Sequence, residues 1–259
     1  MAAAPSGHCS GCGQTIAARG RYAEPVRTHE RVLAHLEEGI AAGRWGLVER
    51  LPGERALAED LGVSRPSVRE AIRVLDALGI VRPGVGSGPT AGAVVIDRPA
   101  AGLGAAVRLH VATGTLPVRD VVATRVLLES WAVAQAAERV VDHAPGTAAH
   151  LEEARRLLGR MEDDDVPAAE FLELDQAFHL EFVRMAGNVL VEAVMTGLRG
   201  AIGGYVAVGI ERLPSWPRTA ARLRAEHRAV LDAVAAGDAD AASAAVRAHI
   251  EGFSREAGV

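Results

Sequence analysis

LPGERALAEDLGVSRPSVREAIRVLDALGIVRPGVGSGP, residues 51–89, predicts two helices joined by a tight turn and followed by a hairpin. The first helix spans about 53–61, and the Gly-Val-Ser sequence after it forms the turn. Ser64 is a favourable N-cap for the second helix, whose first turn tolerates Pro66. This helix stops at Gly79. The apolar residues that form its buried face are Val68, Ile72, Leu75 and Leu78.

The sequence on either side of these helices completes a compact unit. An amphipathic pattern from about 25 to 42, stopped by Gly43, predicts a preceding helix. After the second helix, the segments IVR (80–82) and AVVI (93–96) predict short strands around the glycine-rich GVGSG (84–88). Such a hairpin makes a wing that can approach another backbone closely, because glycine has no side chain.

Three arginines suggest what the second helix does. Arg65, Arg69 and Arg73 are spaced four residues apart, so they form one row beside the apolar face. A recognition helix needs this arrangement, because its N-terminal end enters the major groove while its other side packs on the protein. Arginine there pairs with guanine edges or with phosphate. The alternative is an ordinary three-helix module with solvated arginines.

Charge is distributed unevenly along the chain. Among 259 residues the net charge is −5, and all 28 basic residues are arginine. Residues 1–98 carry 12 arginines and 11 acids, whereas residues 99–259 carry 16 arginines and 22 acids. This shift indicates a domain boundary near residue 98, so we expect domains at 23–97 and 98–259.

The first 22 residues are expected to be a disordered tail. Cys9 and Cys12, with His8 beside them, resemble half a zinc site, but the chain has no other cysteine. We therefore assign this pair no chemical role. The start has no signal-peptide pattern, and no run of about 18 apolar residues predicts a membrane span. We expect a cytoplasmic protein.

The second half of the chain reads as helices without a convincing strand. Turn-forming sequences such as GTLP, HAPG and GDAD separate the helical patterns. We therefore expect an all-α bundle of about six or seven helices. The predicted segments are 100–112, 118–140, 147–163, 167–186, 189–211, 216–235 and 239–255.

Three histidines of the bundle stand out from the other six. His179, His227 and His249 each lie on a separate predicted helix near its apolar face, whereas His110, His143 and His150 lie near helix ends and are expected to face solvent. Asp175 is one turn before His179 on the same face. These four residues are candidates for a metal site. The alternatives are an acid/base pair and a plain hydrogen bond at the edge of a core.

The first unit resembles the winged helix-turn-helix of the GntR family of bacterial transcription regulators over about residues 26–96. The resemblance implies that Arg55, Arg65 and Arg69 contact DNA. It also implies that Ser64 and Ser67 contact the DNA backbone, and that Gly86 lies at the wing tip. Two departures affect the start of the first of the paired helices: Gly53 replaces a small hydroxyl residue, and Glu49-Arg50 replaces a glycine of the preceding turn.

The second unit resembles the ligand-sensing FCD domain of the FadR-type branch of that family over about residues 100–255. The motifs are RVLLESWAVAQAA, LDQAFHLEFVRMAGN and EHRAVLDAVAAGDADAASAAVRAHI. In many members one aspartate and three histidines hold a divalent metal inside the bundle. The matching residues here are Asp175, His179, His227 and His249. Members that bind acyl-CoA lack this set, so the resemblance argues against a fatty-acid sensor.

The resemblance also assigns a role to Arg125, which matches an arginine that holds a carboxylate effector. The alternative for Arg125 is an ion pair with Glu129, four residues later. Three imidazoles and one carboxylate suit Zn, Ni, Mn or a similar ion, and a six-coordinate ion would keep two positions for water or a chelating hydroxy- or dicarboxylate.

These observations predict a homodimeric regulator that binds a short inverted repeat of operator DNA and responds to a small carboxylate. Two other classes stay open from the sequence. One is a metal-dependent enzyme acting on small organic acids, with Glu129 or Glu181 as a base if either lies beside the metal. The other is a regulator with a purely structural metal.

Overall fold

The structure is a computed structural model that describes residues 27–84 and 92–258. The N-terminal unit contains three helices and a two-stranded antiparallel sheet, as the sequence predicts. Its elements are α1 (Thr28–Ala41), α2 (Glu54–Leu61), α3 (Arg65–Ala77), β1 (Val81–Arg82) and β2 (Val94–Val95). The expected tail at 1–22 and Gly86 lie outside the described residues.

Local chemistry explains the boundaries of α2 and α3. Gly62 ends α2 in the left-handed region, with φ of 62°, where glycine has no steric penalty. The Ser64 side chain then accepts a hydrogen bond from the backbone N–H of Ser67 and begins α3. Gly53 occupies the N-cap of α2 without a side-chain hydrogen bond. The departure at Gly53 therefore removes a cap, but α2 still begins at Glu54.

The C-terminal unit is a bundle of seven helices within the described residues, in agreement with the predicted fold class. The helices are α4 (Ala100–Ala112), α5 (Val118–Val141), α6 (Thr147–Met161), α7 (Ala168–Met185), α8 (Val189–Arg212), α9 (Trp216–Ala235) and α10 (Ala239–Ala257). Helix α5 packs against α7, α8, α9 and α10, so side chains of these helices meet at its buried face. The two units have separate buried cores.

Helix α8 bears on the expectation that no apolar run spans a membrane. Among the residues that the structure describes, it alone is long and apolar enough to cross a membrane, by length and composition only. Half of its apolar window is buried inside the protein, as in the core helix of a soluble bundle. One such helix is weak evidence for a span, and Glu192 and Arg199 interrupt its apolar residues.

Helix α4 approaches both units closely through glycines. A Cβ on Gly102 would lie 2.9 Å from the Cα of Leu78, just after α3. A Cβ on Gly104 would lie 2.8 Å from the carbonyl oxygen of Gly197 in α8. Glycine is required at these two positions because backbone atoms occupy the space that a methyl group would fill.

We expect Gly104→Ala to lower the free energy of unfolding by about 1–3 kcal/mol, because the methyl group forces α4 away from α8. Thermal unfolding followed by circular dichroism measures the change. Gly204→Ala is the matched control on α8, since a Cβ there meets no atom within 4 Å. The control should be neutral or stabilising by up to about 1 kcal/mol. Equal effects of the two substitutions would contradict the close packing.

Candidate metal centre and DNA-binding face

Four ionisable side chains from three helices meet inside the bundle. Helix α7 supplies Asp175 and His179 one turn apart, α9 supplies His227, and α10 supplies His249. Each is 0–7% exposed. One potential ligand atom from each residue lies within 4.8 Å of the other three. The structure thus brings together all four residues that the sequence proposed as ligands.

The separations are compatible with one shared ion. Asp175 Oδ1 lies 2.9 Å from His227 Nε2, and His179 Nε2 lies 3.2 Å from His249 Nε2. Asp175 Oδ1 lies 3.8 Å from Nε2 of both His179 and His249. Atoms that bind one ion at about 2.0–2.2 Å are about 2.8–3.6 Å from each other. Of these four separations, two fall in that range and two slightly exceed it, and all pairs among the four residues lie within 4.8 Å.

Unsatisfied nitrogens give a second test of the fit. Both ring nitrogens of His227 are buried without an aligned hydrogen-bond partner. Buried polar atoms are normally paired, so such atoms require an explanation. A divalent ion would accept the lone pair of His227 Nε2 together with those of the neighbouring imidazoles. The donor set suits Zn, Ni, Mn or a similar ion, and the residues present therefore fit the implied metal.

Two glutamates lie behind the imidazoles. Glu226 Oε2 is 2.9 Å from Nδ1 of His249. Glu129 Oε2 is 2.7 Å from Nδ1 of His179, a close contact that is poorly aligned for a hydrogen bond. Carboxylates in this position orient a ligating imidazole and select the tautomer that leaves Nε2 free. Sequence reasoning missed Glu226, because nothing in the spacing pairs it with His249.

The protonation states of the cluster residues favour binding of a metal cation. Burial opposes ionisation of Asp175, but the close contact with His227 Nε2 and nearby positive charges outweigh burial and hold its pKa well below the ordinary value. Burial lowers the pKa of both His227 and His249. A charged carboxylate and neutral imidazoles are the forms that bind metals. Metal affinity is lost as the pH falls through the imidazole pKa, so lowering that pKa extends metal binding to more acidic solutions.

Arg125 is buried beside this cluster. Its Nε donates to Glu129 Oε1 at 2.6 Å, so the ion pair considered from the sequence is present. Its Nη1 lies 3.4 Å from the Tyr205 hydroxyl, and its Nη2 lies 3.8 Å from Asp175 Oδ2. Burial opposes ionisation of Glu129, but the charge of Arg125 and the contacts with Arg125 and His179 together lower its pKa to about 2. Arg125 also lines a cavity together with Asp175 and His249.

Neither glutamate considered as an enzymatic base is free for that role. Glu129 contacts Arg125 through one oxygen and His179 through the other. Glu181 accepts from Arg184 at 2.6 Å and lies 2.8 Å from Nδ1 of His150. The expectation that His150 faces solvent was wrong, since it is half-buried against Glu181.

The row of arginines on α3 is exposed, and one member is held by a carboxylate. Arg69 Nη2 donates to Glu54 Oε2 at 2.9 Å, and its Nε lies 3.3 Å from both Glu54 oxygens. Arg65 Nη2 lies 3.8 Å from the same carboxylate. Arg55, on α2, lies 3.6 Å from Glu59. Sequence reasoning missed Glu54, which neutralises part of the charge that Arg69 presents.

The two serines expected at DNA already have a local role. The hydroxyls of Ser64 and Ser67 lie 2.9 Å apart, and Ser64 caps α3. Both sit at the N-terminus of α3, where helix N–H groups and the helix dipole favour phosphate.

Two protein-family patterns match the chain. The pattern for bacterial regulatory proteins of the gntR family matches residues 28–89. The pattern for the FCD domain matches residues 120–252.

Individual proteins agree with these patterns. HTH-type transcriptional regulator Mce2R of Mycobacterium tuberculosis is 31% identical over 225 residues, which cover 86% of this chain and 88% of that protein. HTH-type transcriptional repressor NanR of Klebsiella aerogenes is 29% identical over 230 residues, which cover 87% of this chain and 83% of that protein. These relatives are transcription regulators rather than enzymes.

A solved structure, Streptococcus agalactiae GntR, has a similar fold. Its TM-score is 0.59 at 24% identity, and the match covers 88% of this chain and 99% of that chain.

We expect purified protein to hold about one divalent metal per chain, as measured by elemental analysis. His179→Ala, His227→Ala or His249→Ala should each remove it while the far-ultraviolet spectrum stays helical, because each supplies a ligand atom. Acidification should also release it, since protonated imidazoles do not bind metals. His150→Ala, and replacement of Cys9 and Cys12, should leave occupancy unchanged. Full occupancy in the His227→Ala, His249→Ala double variant would contradict the four-ligand site.

Proposed function

This chain belongs to the gntR family of bacterial regulatory proteins and carries an FCD domain; from that premise we propose that a small carboxylate, bound beside a divalent metal, weakens its binding to operator DNA. One observation carries the proposal: buried Arg125 lines the same cavity as Asp175 and His249 of the cluster. A carboxylate that enters the cavity meets a guanidinium and a metal position together.

The proposed recognition chemistry divides between the metal and the protein. A bound ion would supply positive charge and open coordination positions. Asp175, His179, His227 and His249 would hold the ion, and Arg125 would donate to the carboxylate. Glu129 takes the Nε donor of Arg125, and one N–H of Nη1 points to the Tyr205 hydroxyl. Each terminal nitrogen carries two N–H groups, so donors remain that could face the ligand. A guanidinium pairs well with a carboxylate because two parallel donors fit its two oxygens.

A regulator with a purely structural metal is the second candidate. The short contacts of Glu129 and Glu226 with the imidazoles favour it, because such contacts also stabilise closed structural sites. A structural site would bind no carboxylate, so ligand binding separates the two candidates.

We propose that two chains bind a short inverted repeat, because two-fold proteins read two-fold sites. The proposed contacts are those implied by the family: Arg55, Arg65 and Arg69, with Ser64, Ser67 and Gly86. The dimer contact is proposed to involve one or both units, which we divide between residues 97 and 98. We propose that the protein acts in the cytoplasm, because its proposed operator DNA lies there.

The packing of α4 supports a route from the cavity beside Arg125 to the recognition helix α3. Arg125 contacts Tyr205 on α8, and α8 packs closely on α4 through Gly197 and Gly104. The other face of α4 contacts the segment that ends α3. We propose that a carboxylate at Arg125 shifts α8 and α4, and through them the placement of the two recognition helices.

Replacing Arg69 by alanine should cost about 1–3 kcal/mol of operator binding and relax the preference at one base pair, if it reads a guanine. Binding to operators mutated at each position, measured by fluorescence anisotropy, tests this. Arg73→Ala removes the same charge from the same helix and should relax no base preference. A uniform loss across all sequences would identify Arg69 as a phosphate contact. Sedimentation of one chain per operator duplex would contradict the dimer.

Effector and operator should weaken each other by the same factor, typically about 5- to 150-fold, because coupling is reciprocal. Calorimetric titration of the carboxylate into free protein and into the protein–operator complex measures it. Equal affinities in the two titrations would mean that the ligand is no inducer.

Arg125→Ala and Arg125→Lys should lose effector binding yet keep metal and operator binding. Retained operator binding also shows that each variant is correctly folded. Arg119→Ala, an exposed change on the same helix, should behave as the original protein. Normal effector binding by Arg125→Ala would leave only the ion pair with Glu129 as its role.

A further inference from the structure

The histidine cluster and Arg125 are closed off from solvent, so the protein must open before a ligand reaches them. Each of these side chains belongs to a residue that is 0–7% exposed. The two cavities that Arg125 lines contain about 20 Å³ each, which is room for about one water molecule. We infer that metal and carboxylate enter between α7 and α8, through an opening that the side chains of Gln176 and Arg199 close. This rests on the proposed function for what enters, whereas the route follows from the packing.

A larger groove lies outside these cavities, along the line where α7 and α8 meet. It contains about 650 Å³, within the range of about 300–1,000 Å³ that small-molecule sites occupy. Two residues that line it, Leu172 and Ile210, also line the inner cavity beside His249. Two others, Gln176 and Arg199, also line the inner cavity beside His179. A single layer of side chains therefore separates the groove from both inner cavities.

The polar pair in this layer is easier to open than the apolar pair. Arg199 Nε donates to Gln176 Oε1 at 3.5 Å, a long hydrogen bond. It is the only hydrogen bond that the Arg199 guanidinium makes with the described residues, and no carboxylate among them pairs with it. When the two side chains part, water can replace this bond. Moving Leu172 or Ile210 aside would instead expose apolar carbon to water, which is unfavourable.

A glycine on α8 gives the Gln176 side chain its place. A Cβ on Gly203 would lie 2.8 Å from Gln176 Nε2, so the amide lies close to the α8 backbone. Gly203 also lines the groove, which leaves space on the outer side of the amide. The amide can therefore swing outward without displacing a packed side chain of α8 at this position.

The residues used by the proposed function lie directly behind this pair. The inner cavity that Gln176 and Arg199 line is also lined by Arg125, Glu129 and His179. Opening the pair therefore leads to the proposed carboxylate clamp and to one proposed metal ligand. A carboxylate that pairs with Arg199 competes with Gln176 for the Nε donor, and this favours the open position.

The groove carries charges of both signs, which suits entry of both a metal and a carboxylate. Glu173 and Glu211 line it and are exposed. Arg199 is half-buried and lines the inner cavity as well. The outer carboxylates attract a cation, and the inner guanidinium pairs with an anion.

Modification of His179 in the metal-free, full-length protein measures how often the route opens. Diethylpyrocarbonate acylates the imidazoles that it reaches, and peptide mass spectrometry resolves His179 from His110, which is exposed and serves as the internal reference. Gln176→Ala should speed modification of His179 by about 2- to 13-fold, the factor for one lost hydrogen bond. The rate at His110 should not change.

Two matched variants test the groove without altering Gln176 or Arg199. Ala207 lines the groove and is exposed, so Ala207→Trp fills the groove and should slow modification of His179 below the rate of the original protein. Val208→Trp places the same ring at the next position, which is exposed and is not part of the groove lining. It should leave the rate at His179 unchanged.

Zinc exchange gives a readout that distinguishes an entrance from a support of the site. Gln176→Ala should speed zinc uptake and zinc release by the same factor, because an entrance changes the rates of both directions equally. The zinc affinity should therefore stay the same. A lower affinity with unchanged uptake would make Gln176 a support of the metal site and would contradict its role in closing the route.

The outcomes separate this inference from the proposed function. If Ala207→Trp leaves the rate at His179 unchanged, entry occurs elsewhere and the inference is wrong. The same holds if Trp216→Ala, which opens the wall of the other inner cavity, speeds modification of His179 more than Gln176→Ala does. If the protein binds no zinc or no carboxylate, the proposed function is wrong, while the rates at His179 still decide the route.

Discussion

The arrangement of helices in the bundle depends on the buried carboxylate of Asp175. Asp175 is buried among three imidazoles and a guanidinium, and burial alone would strongly oppose its charge. The close contact with His227 Nε2 and the nearby positive charges reverse that effect. Because these groups come from α5, α7, α9 and α10, the helices must keep their mutual positions to keep Asp175 ionised. The same arrangement leaves imidazole nitrogens directed at a common point, which makes the site suitable for a metal.

In each unit a glutamate holds an arginine that has a proposed role in binding. Glu129 contacts Arg125 through one oxygen and His179 through the other, so the proposed effector clamp and the proposed metal ligand share a partner. Glu54 holds the Arg69 guanidinium on the exposed face of α3. The environments differ, however. The buried Glu129 contacts are screened little by solvent. The exposed Glu54–Arg69 pair is weak, so Arg69 can exchange Glu54 for a DNA phosphate or a base edge.

Close backbone packing links the two units. Helix α4 lies against α8 through Gly104 and Gly197, and against the end of α3 through Gly102. Tight contacts between backbones transmit small displacements, because they contain no flexible side chain that can absorb a shift. Helix α8 contacts Arg125 through Tyr205, so a displacement of α8 can reach the end of α3 through α4. This holds although Arg125 and α3 pack in separate cores.

The sequence by itself determined the elements of the fold, because their signals are local. Ser64, Gly62 and the turn sequences of the bundle marked helix ends to within about two residues, and helical spacing placed Asp175 beside His179. Positions near apolar helical faces also singled out His227 and His249, and the family motifs then assigned all four residues to a metal site. Only the tertiary structure paired Glu226 with His249, Glu54 with Arg69, and His150 with Glu181. It also decided which apolar side chains face the cavity and which fill the core. These partners lie on different helices, so their contacts depend on the angle and register at which helices pack, which residue spacing along the chain does not encode.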